Sequence, residues 1–179
     1  TYPDAKAWKL AIEEQIDNFR RLGTFDTETP LPEGVKPMDS KFVFKIKTKE
    51  VNGKQVMDKY KVRMPAKGFT QEWGVNYDET FAPVTHAATT KALLALALDL
   101  GWHVNGMDTK SAFINATIQF DAWVRMPEGY SYDGHKIVKL NKTLEGTKQG
   151  AHDWYKEQDR LIMHYSPYIT KSKVDPCLY

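Results

Sequence analysis

Apolar residues recur at helical spacing near the start of the chain: Trp8, Ala11, Ile12, Ile16, Phe19 and Leu22. A helix from about Asp4 to Leu22 puts them on one face, with Asp4 placed to cap it and Gly23 to end it. Residues 26–40, which contain Pro30, Pro32, Gly34 and Pro37, read as a loop. The period then falls to two. From Lys41 to Lys49, Phe42, Phe44 and Ile46 point one way and Lys41, Val43, Lys45 and Lys47 the other. This is a strand with one apolar and one cationic face. Asn52-Gly53 is a strong hairpin signal. The return strand, about Val56 to Met64, alternates Lys59, Lys61 and Arg63 with Tyr60, Val62 and Met64. A strict two-residue loop would set Phe44 against Lys61 and Phe42 against Arg63, mixing the faces. One extra residue, as a longer loop or a bulge, puts all the cations on one side. The expectation is the longer loop.

Further on, residues 67–84 are rich in glycine and aromatics and read as irregular. Thr89 to Leu100 reads as a helix stopped by Gly101, Trp102 to Asp108 as a short strand, and Ser111 to Thr117 as a turn or short helix. Ala122–Met126 and Lys136–Leu140 read as two strands around a Pro127-Glu128-Gly129 turn. A helix from Gly150 or Ala151 to about Tyr165 would bury Trp154, Leu161, Ile162 and Tyr165, with Pro167 after its end. Cys177 to Tyr179 reads as the start of another strand. The mixture of helices and hairpins, without a regular βαβ repeat, is α+β.

Composition adds little, but charge placement adds a good deal. The chain has 179 residues, 41% hydrophobic and 27% charged, with a net charge of +2. These are values of a globular domain, not of a low-complexity chain. The longest apolar run, Ala92 to Leu98, is far short of the ~20 residues of a membrane helix, so no membrane partner is expected. The start, Thr1-Tyr2-Pro3-Asp4, has neither the basic nor the apolar part of a secretory leader. It also lacks Met, as expected of a piece of a longer reading frame. Cys177 is the one cysteine, which excludes an intramolecular disulfide and suggests a reducing compartment. Residues 41–67, however, carry nine cations against two anions. Such a patch on a near-neutral chain is either a solvated hairpin face or a site for a phosphate-bearing partner.

Asp108 is the first residue with candidate chemistry. A carboxylate where a strand gives way to a turn is either a cap or a ligand for Mg²⁺, an ion that prefers one or two carboxylates plus substrate phosphates. Its surroundings, Met107-Asp108-Thr109-Lys110-Ser111-Ala112-Phe113-Ile114-Asn115, resemble the M-D-V-K-T-A-F-L-N motif of Ty1/copia-type retrotransposon reverse transcriptases. Five other stretches resemble motifs of that family, in the same order. They are Lys41–Lys47, Tyr60–Gln71, Tyr77–Val84, Leu144–Gln149 through Trp154-Tyr155, and Asp175–Tyr179.

The resemblance implies a right-hand polymerase: fingers plus an incomplete palm, with an antiparallel sheet and packed helices. Residues 1–86 would be fingers, 87–116 palm, 117–150 fingers, and 151–179 a partial palm. The function implied is that of a fragment of an RNA-directed DNA polymerase from a retrotransposon Pol polyprotein. Asp108 would be the catalytic, metal-binding aspartate. Mg²⁺ or Mn²⁺ would be the cofactor in the full-length parent, driving two-metal nucleotidyl transfer. Phe113 would stack under the incoming sugar. Arg63 and one of Lys45 or Lys47 would reach the triphosphate, for which a planar guanidinium is well shaped, with Lys61 as a further nucleotide-binding residue. Gln149 would contact the nucleotide or template, with Lys148 making a backbone contact or lying in solvent.

The partners implied are an RNA or DNA template-primer, a dNTP and the remainder of the Pol polyprotein. The place implied is the cytoplasmic retrotransposon particle or the nucleus. Several residues depart from the family pattern. The family's aromatic-x-Asp-Asp turn does not occur in this sequence, so the 179 residues are not expected to polymerise by themselves. Asp175 reads as a turn residue. Pro65 replaces Val and suits only a strand end. Ala116 replaces Gly, Glu145 replaces an aromatic and Thr147 an apolar residue. The alternative is a transposon-derived, catalytically dead nucleic-acid-binding or scaffold protein.

Overall fold

The computed structural model describes residues 4–165 and 168–179. Pro167, expected to follow the last helix, lies outside the described residues, as do Thr1, Tyr2 and Pro3. The fold is mixed α+β, with three α-helices and mostly antiparallel strands among the described residues. Helix α1 spans Ala5–Arg21 and buries Ala11, Ile12, Ile16 and Phe19, with Trp8 and Leu22 half-buried. It ends as Gly23 suggested: the Gly23 and Thr24 amides donate back to Arg20 and Phe19. Asp4 makes no side-chain capping bond, contrary to expectation, because its backbone (φ −102°, ψ 10°) is not in the extended capping conformation.

Strand β1 (Phe25–Asp26) straddles the start of the stretch that reads as loop, and β2 (Met38–Asp39) lies inside it. Two residues are too few to show a period. β3 (Val43–Val51) and β4 (Lys54–Arg63) form the hairpin, which is a sheet of its own. β5 (Trp123–Arg125) and β6 (Ile137–Leu140) fall inside the expected spans. They join β1 and β2 in a sheet of order β1-β6-β5-β2, antiparallel except for the β2–β5 pair. Phe25, Met38, Val124, Val138 and Leu140 pack into one core with Ile12, Ile16 and Phe19 of α1. Burying each such side chain contributes roughly 1.5–3 kcal/mol.

Helix α2 spans Ala87–Asp99 and α3 spans Gly150–Tyr165. Three expectations fail here. The buried residues of α3 are Gly150 and Asp153. Trp154, Leu161 and Ile162 are half-buried, and Tyr165 is exposed. The helix faces the core over its first turn only, so periodicity farther along does not translate into burial. Residues 102–108 form no strand and are exposed. A strand needs a hydrogen-bonded neighbour, and no described residue supplies one. Cys177–Tyr179 likewise forms no strand: Pro176 and Cys177 make a turn, with the Leu178 amide donating to the Asp175 carbonyl. Among the described residues no helix is long and apolar enough to cross a membrane.

Candidate functional site

The hairpin gathers most of the candidate residues. Its turn is tight: Asn52 and Gly53 both have positive φ (51° and 75°), as a two-residue mirror-image turn requires. The longer loop is therefore not found. The extra residue is a bulge between Lys47 and Thr48, where Lys47 pairs with Lys59 and Thr48 with Met57. Asp58 is left over in the ladder and pairs with Lys49 at 3.3 Å. Beyond the bulge Phe44 faces Val62 and Ile46 faces Tyr60, while Lys45 faces Lys61 and Val43 faces Arg63. All the cations share one side, as the alternation demanded. The opposite side is held on α1 by Trp8, whose ring meets Phe44 at 5.1 Å and Tyr60 at 4.6 Å.

Like charges directly across a sheet repel. Partial burial, then Arg63, Lys47 and Lys59, push the Lys61 ammonium below its ordinary pKa, and Glu145 pulls it back up. Glu145 also pairs with Arg63, Oε1 to Nε, at 3.3 Å. β4 stops at Arg63, and Pro65, just beyond it, lends its carbonyl to the Lys41 amide. The next residues run against 145–147. The Ala66 amide donates to the Glu145 carbonyl at 2.7 Å. Gly68 and Gly146 leave no room for a side chain. A Cβ on Gly68 would lie 2.1 Å from the Gly146 carbonyl oxygen, and one on Gly146 would lie 2.2 Å from that of Ala66.

Gln149 is turned inward, only 2% exposed. Its Oε1 accepts from Gln71 Nε2 at 3.0 Å, and its own Nε2 donates to the Asn76 carbonyl at 3.3 Å. Gln71 Oε1 in turn accepts the Lys148 amide at 2.8 Å. Lys148 is tied to the same loop, with Nζ donating to the Gln71 carbonyl and Tyr77 hydroxyl and lying 4.8 Å from the Tyr77 ring centre. A buried amide pair satisfied on both sides holds residues 71–77 against the start of α3.

Asp108 stands apart. It is exposed in an irregular segment and makes no hydrogen bond or ion pair with another described residue. The turn after it is well held. Asn115 donates to the Lys110 and Ser111 carbonyls, and Asn18 donates to the Ser111 hydroxyl. A short 3₁₀ turn, Ala112–Asn115, carries Phe113. Phe113 is half-buried with its ring against the start of α3, 3.4 Å from where a Gly150 Cβ would sit.

The structure thus brings Lys45, Lys47, Lys61 and Arg63 onto one face and keeps Phe113 in the turn after Asp108. It does not bring Gln149 to that cationic face. The residues present do not complete a divalent-metal site either. No group of three His, Cys, Asp or Glu side chains among the described residues could hold a metal ion, and Asp108 is a single carboxylate. Gln71 and Glu145 were missed as site residues. Gln71 closes the Tyr60–Gln71 motif, but nothing in that motif says that it pairs with Gln149. Glu145 gives a local signal: an acidic residue where the similar motif has an aromatic.

Residues 24–174 match the family model described as reverse transcriptase (RNA-dependent DNA polymerase). The chain is 33% identical over 181 residues to the retrovirus-related Pol polyprotein from transposon TNT 1-94 of Nicotiana tabacum, covering 100% of this chain and 13% of that protein. It is 31% identical to the Pol polyprotein from transposon RE1 of Arabidopsis thaliana, covering 87% of this chain and 11% of that protein. It is 26% identical to the transposon Ty1-BL Gag-Pol polyprotein of Saccharomyces cerevisiae, covering 81% and 8%. The chain therefore spans about an eighth or less of these relatives. No solved structure matches it.

Proposed function

We propose, for a chain that belongs to the reverse transcriptase family of copia-type retrotransposon Pol polyproteins, that its β3–β4 hairpin is the surface that takes phosphate. The phosphates are those of an incoming deoxynucleoside triphosphate and of the template-primer beside it. The observation that carries this is the hairpin itself: Lys45, Lys47, Lys59, Lys61 and Arg63 on one side, its other side held on α1. On this reading residues 1–86 and 117–150 belong to the fingers, and 87–116 and 151–179 to the palm. Phe113 and Asp108 mark where sugar and reacting phosphate would lie. The rest of the Pol polyprotein is the natural partner. The family's chemistry uses divalent metal, but one carboxylate does not build that site, so Asp108 is assigned no more than a place in it.

The test is equilibrium binding of a primer–template at several salt concentrations. Each cation that neutralises a phosphate contributes close to one unit of log–log salt slope on duplex DNA. The double variant Lys61→Gln/Arg63→Gln is expected to bind more weakly and to flatten the slope by about two. Affinity for the unaltered chain that stays constant from low to moderate salt would overturn the proposal.

The isolation of Asp108 favours a second reading, nucleic-acid binding without polymerisation by these residues alone. Primer extension by the 179-residue chain is expected to be absent with Mg²⁺ or Mn²⁺. Extension that disappears in Asp108→Asn would remove that reading.

A further inference from the structure

We infer that Glu145 is a built-in competitor for Arg63, an anion that polyphosphate must displace and that weakens the hairpin's hold on a nucleoside triphosphate. The inference rests on the reading of the hairpin as the phosphate-binding surface. It concerns a residue which that reading does not use.

Three observations carry it. Glu145 is paired with the guanidinium, Oε1 to Nε at 3.3 Å. Of the charged groups acting on Lys61, it is the one that favours the ammonium form, against Arg63, Lys47 and Lys59. The carboxylate therefore acts on two members of the cationic row. Its position is also fixed by the backbone, not by the ion pair. The Glu145 carbonyl holds the Ala66 amide at 2.7 Å, and the neighbouring Gly146 sits too close to the Ala66 carbonyl to admit a Cβ. Residue 145 is thus delivered to Arg63 by a clamp three residues from it. A loose surface glutamate would swing away at little cost. Here the clamp keeps the backbone of residue 145 beside Arg63, within reach of its guanidinium.

Both side chains remain open to a ligand, Arg63 at 44% and Glu145 at 36% exposure. A phosphate group binds arginine best through two parallel N–H bonds. Glu145 Oε1 lies 3.3 Å from Nε, beside one edge of that fork, and places a negative charge where the phosphate charge must come. The pair itself, exposed as it is, stabilises the fold little. Its larger consequence is for what else may bind.

The test titrates the full 179-residue chain with inorganic tripolyphosphate and, separately, with dTTP, at low ionic strength and neutral pH. Glu145→Gln keeps the shape and the backbone contacts and removes the charge. Glu145→Tyr removes it with a ring, as in the similar motif. Each is expected to tighten tripolyphosphate binding by about 1.5- to 5-fold, the scale of one exposed ion pair. In an Arg63→Gln background the gain should shrink to the part exerted through Lys61. Equal melting curves for the unaltered chain and Glu145→Gln serve as the folding control. If both chains bind equally and Arg63→Gln weakens both, Glu145 is no competitor and the phosphate-binding surface stands. If neither binds tripolyphosphate or dTTP, the reading of the hairpin fails and this inference fails with it.

Discussion

Gly146→Ala is expected to lower the melting temperature by about 4–20 °C, on the scale of 2–4 °C per kcal/mol for a chain of this size. Two costs combine. Gly146 has φ +88°, a conformation L-residues rarely adopt, and the left-handed region costs an alanine about 1–2 kcal/mol. The new Cβ would also lie 2.2 Å from the Ala66 carbonyl oxygen, a rigid backbone atom that cannot rotate aside. Relieving that contact means separating residues 145–147 from residues 66–68, at about 1–3 kcal/mol. The two costs separate experimentally. Gly129 has φ +79° with nothing within 4 Å of its Cβ position, so Gly129→Ala carries the strain alone. At Gly68, which has no positive φ, an added Cβ would lie 2.1 Å from the Gly146 carbonyl oxygen, so Gly68→Ala carries the steric cost alone. Thermal melts should rank Gly146→Ala as most damaging, then Gly68→Ala, then Gly129→Ala. Gly146→Ala melting with Gly129→Ala would show that the two segments are not in tight contact.

Part of the site was legible in the sequence and part was not, because local periodicity is written along the chain and long-range pairing is not. Alternation along residues 41–49 and 56–64 announced a cationic face, because a strand's period of two leaves no other arrangement. It could not say whether a bulge or a longer loop supplied the extra residue. Asp58 decides that by leaving the ladder and pairing with Lys49. Motif resemblance placed Gln149 in the site, but a motif gives order along the chain and not the direction of a side chain. The partner that turns Gln149 inward is Gln71, 78 residues away. Glu145, four residues earlier, faces the cations instead. The strand expected at 102–108 failed for a related reason: apolar alternation states a capacity to pair, and pairing requires a neighbour. Helix α2 shows this too. It forms where its composition says, yet among its residues only Ala97 is buried.

Asp175 supplies the second large effect. It was read as a turn residue, and it is one. Its Oδ1 accepts the Cys177 amide at 2.9 Å and its carbonyl accepts the Leu178 amide at 3.0 Å. It also does something no local pattern shows. His86, at the start of α2, has no side-chain cap of its own. Asp175 Oδ2, 89 residues away, accepts the His86 amide at 2.9 Å and so supplies the cap. The side chain is 1% exposed. A carboxylate there satisfies otherwise orphaned amides and faces the positive end of the helix dipole. The Thr89 hydroxyl, then the Cys177 and His86 amides, hold its pKa below the ordinary carboxylate value. The sign of the pH effect follows. A carboxylate with a depressed folded pKa contributes its full stabilisation above the unfolded value, near 4, and loses it as pH falls through the folded value. Asp175→Asn keeps the size but sets an amide NH₂ against donors that it cannot satisfy. It is expected to melt several degrees lower at pH 7 and to expose the start of α2 to faster amide exchange. The gap between the two chains should begin to narrow below about pH 4 and close only as pH falls through the lowered folded value, where the Asp175 carboxylate itself takes a proton. A gap that persists unchanged at pH 3 would mean that the lost interaction is one of shape and not of charge. Equal melting at pH 7 would mean that α2 does not depend on this cap.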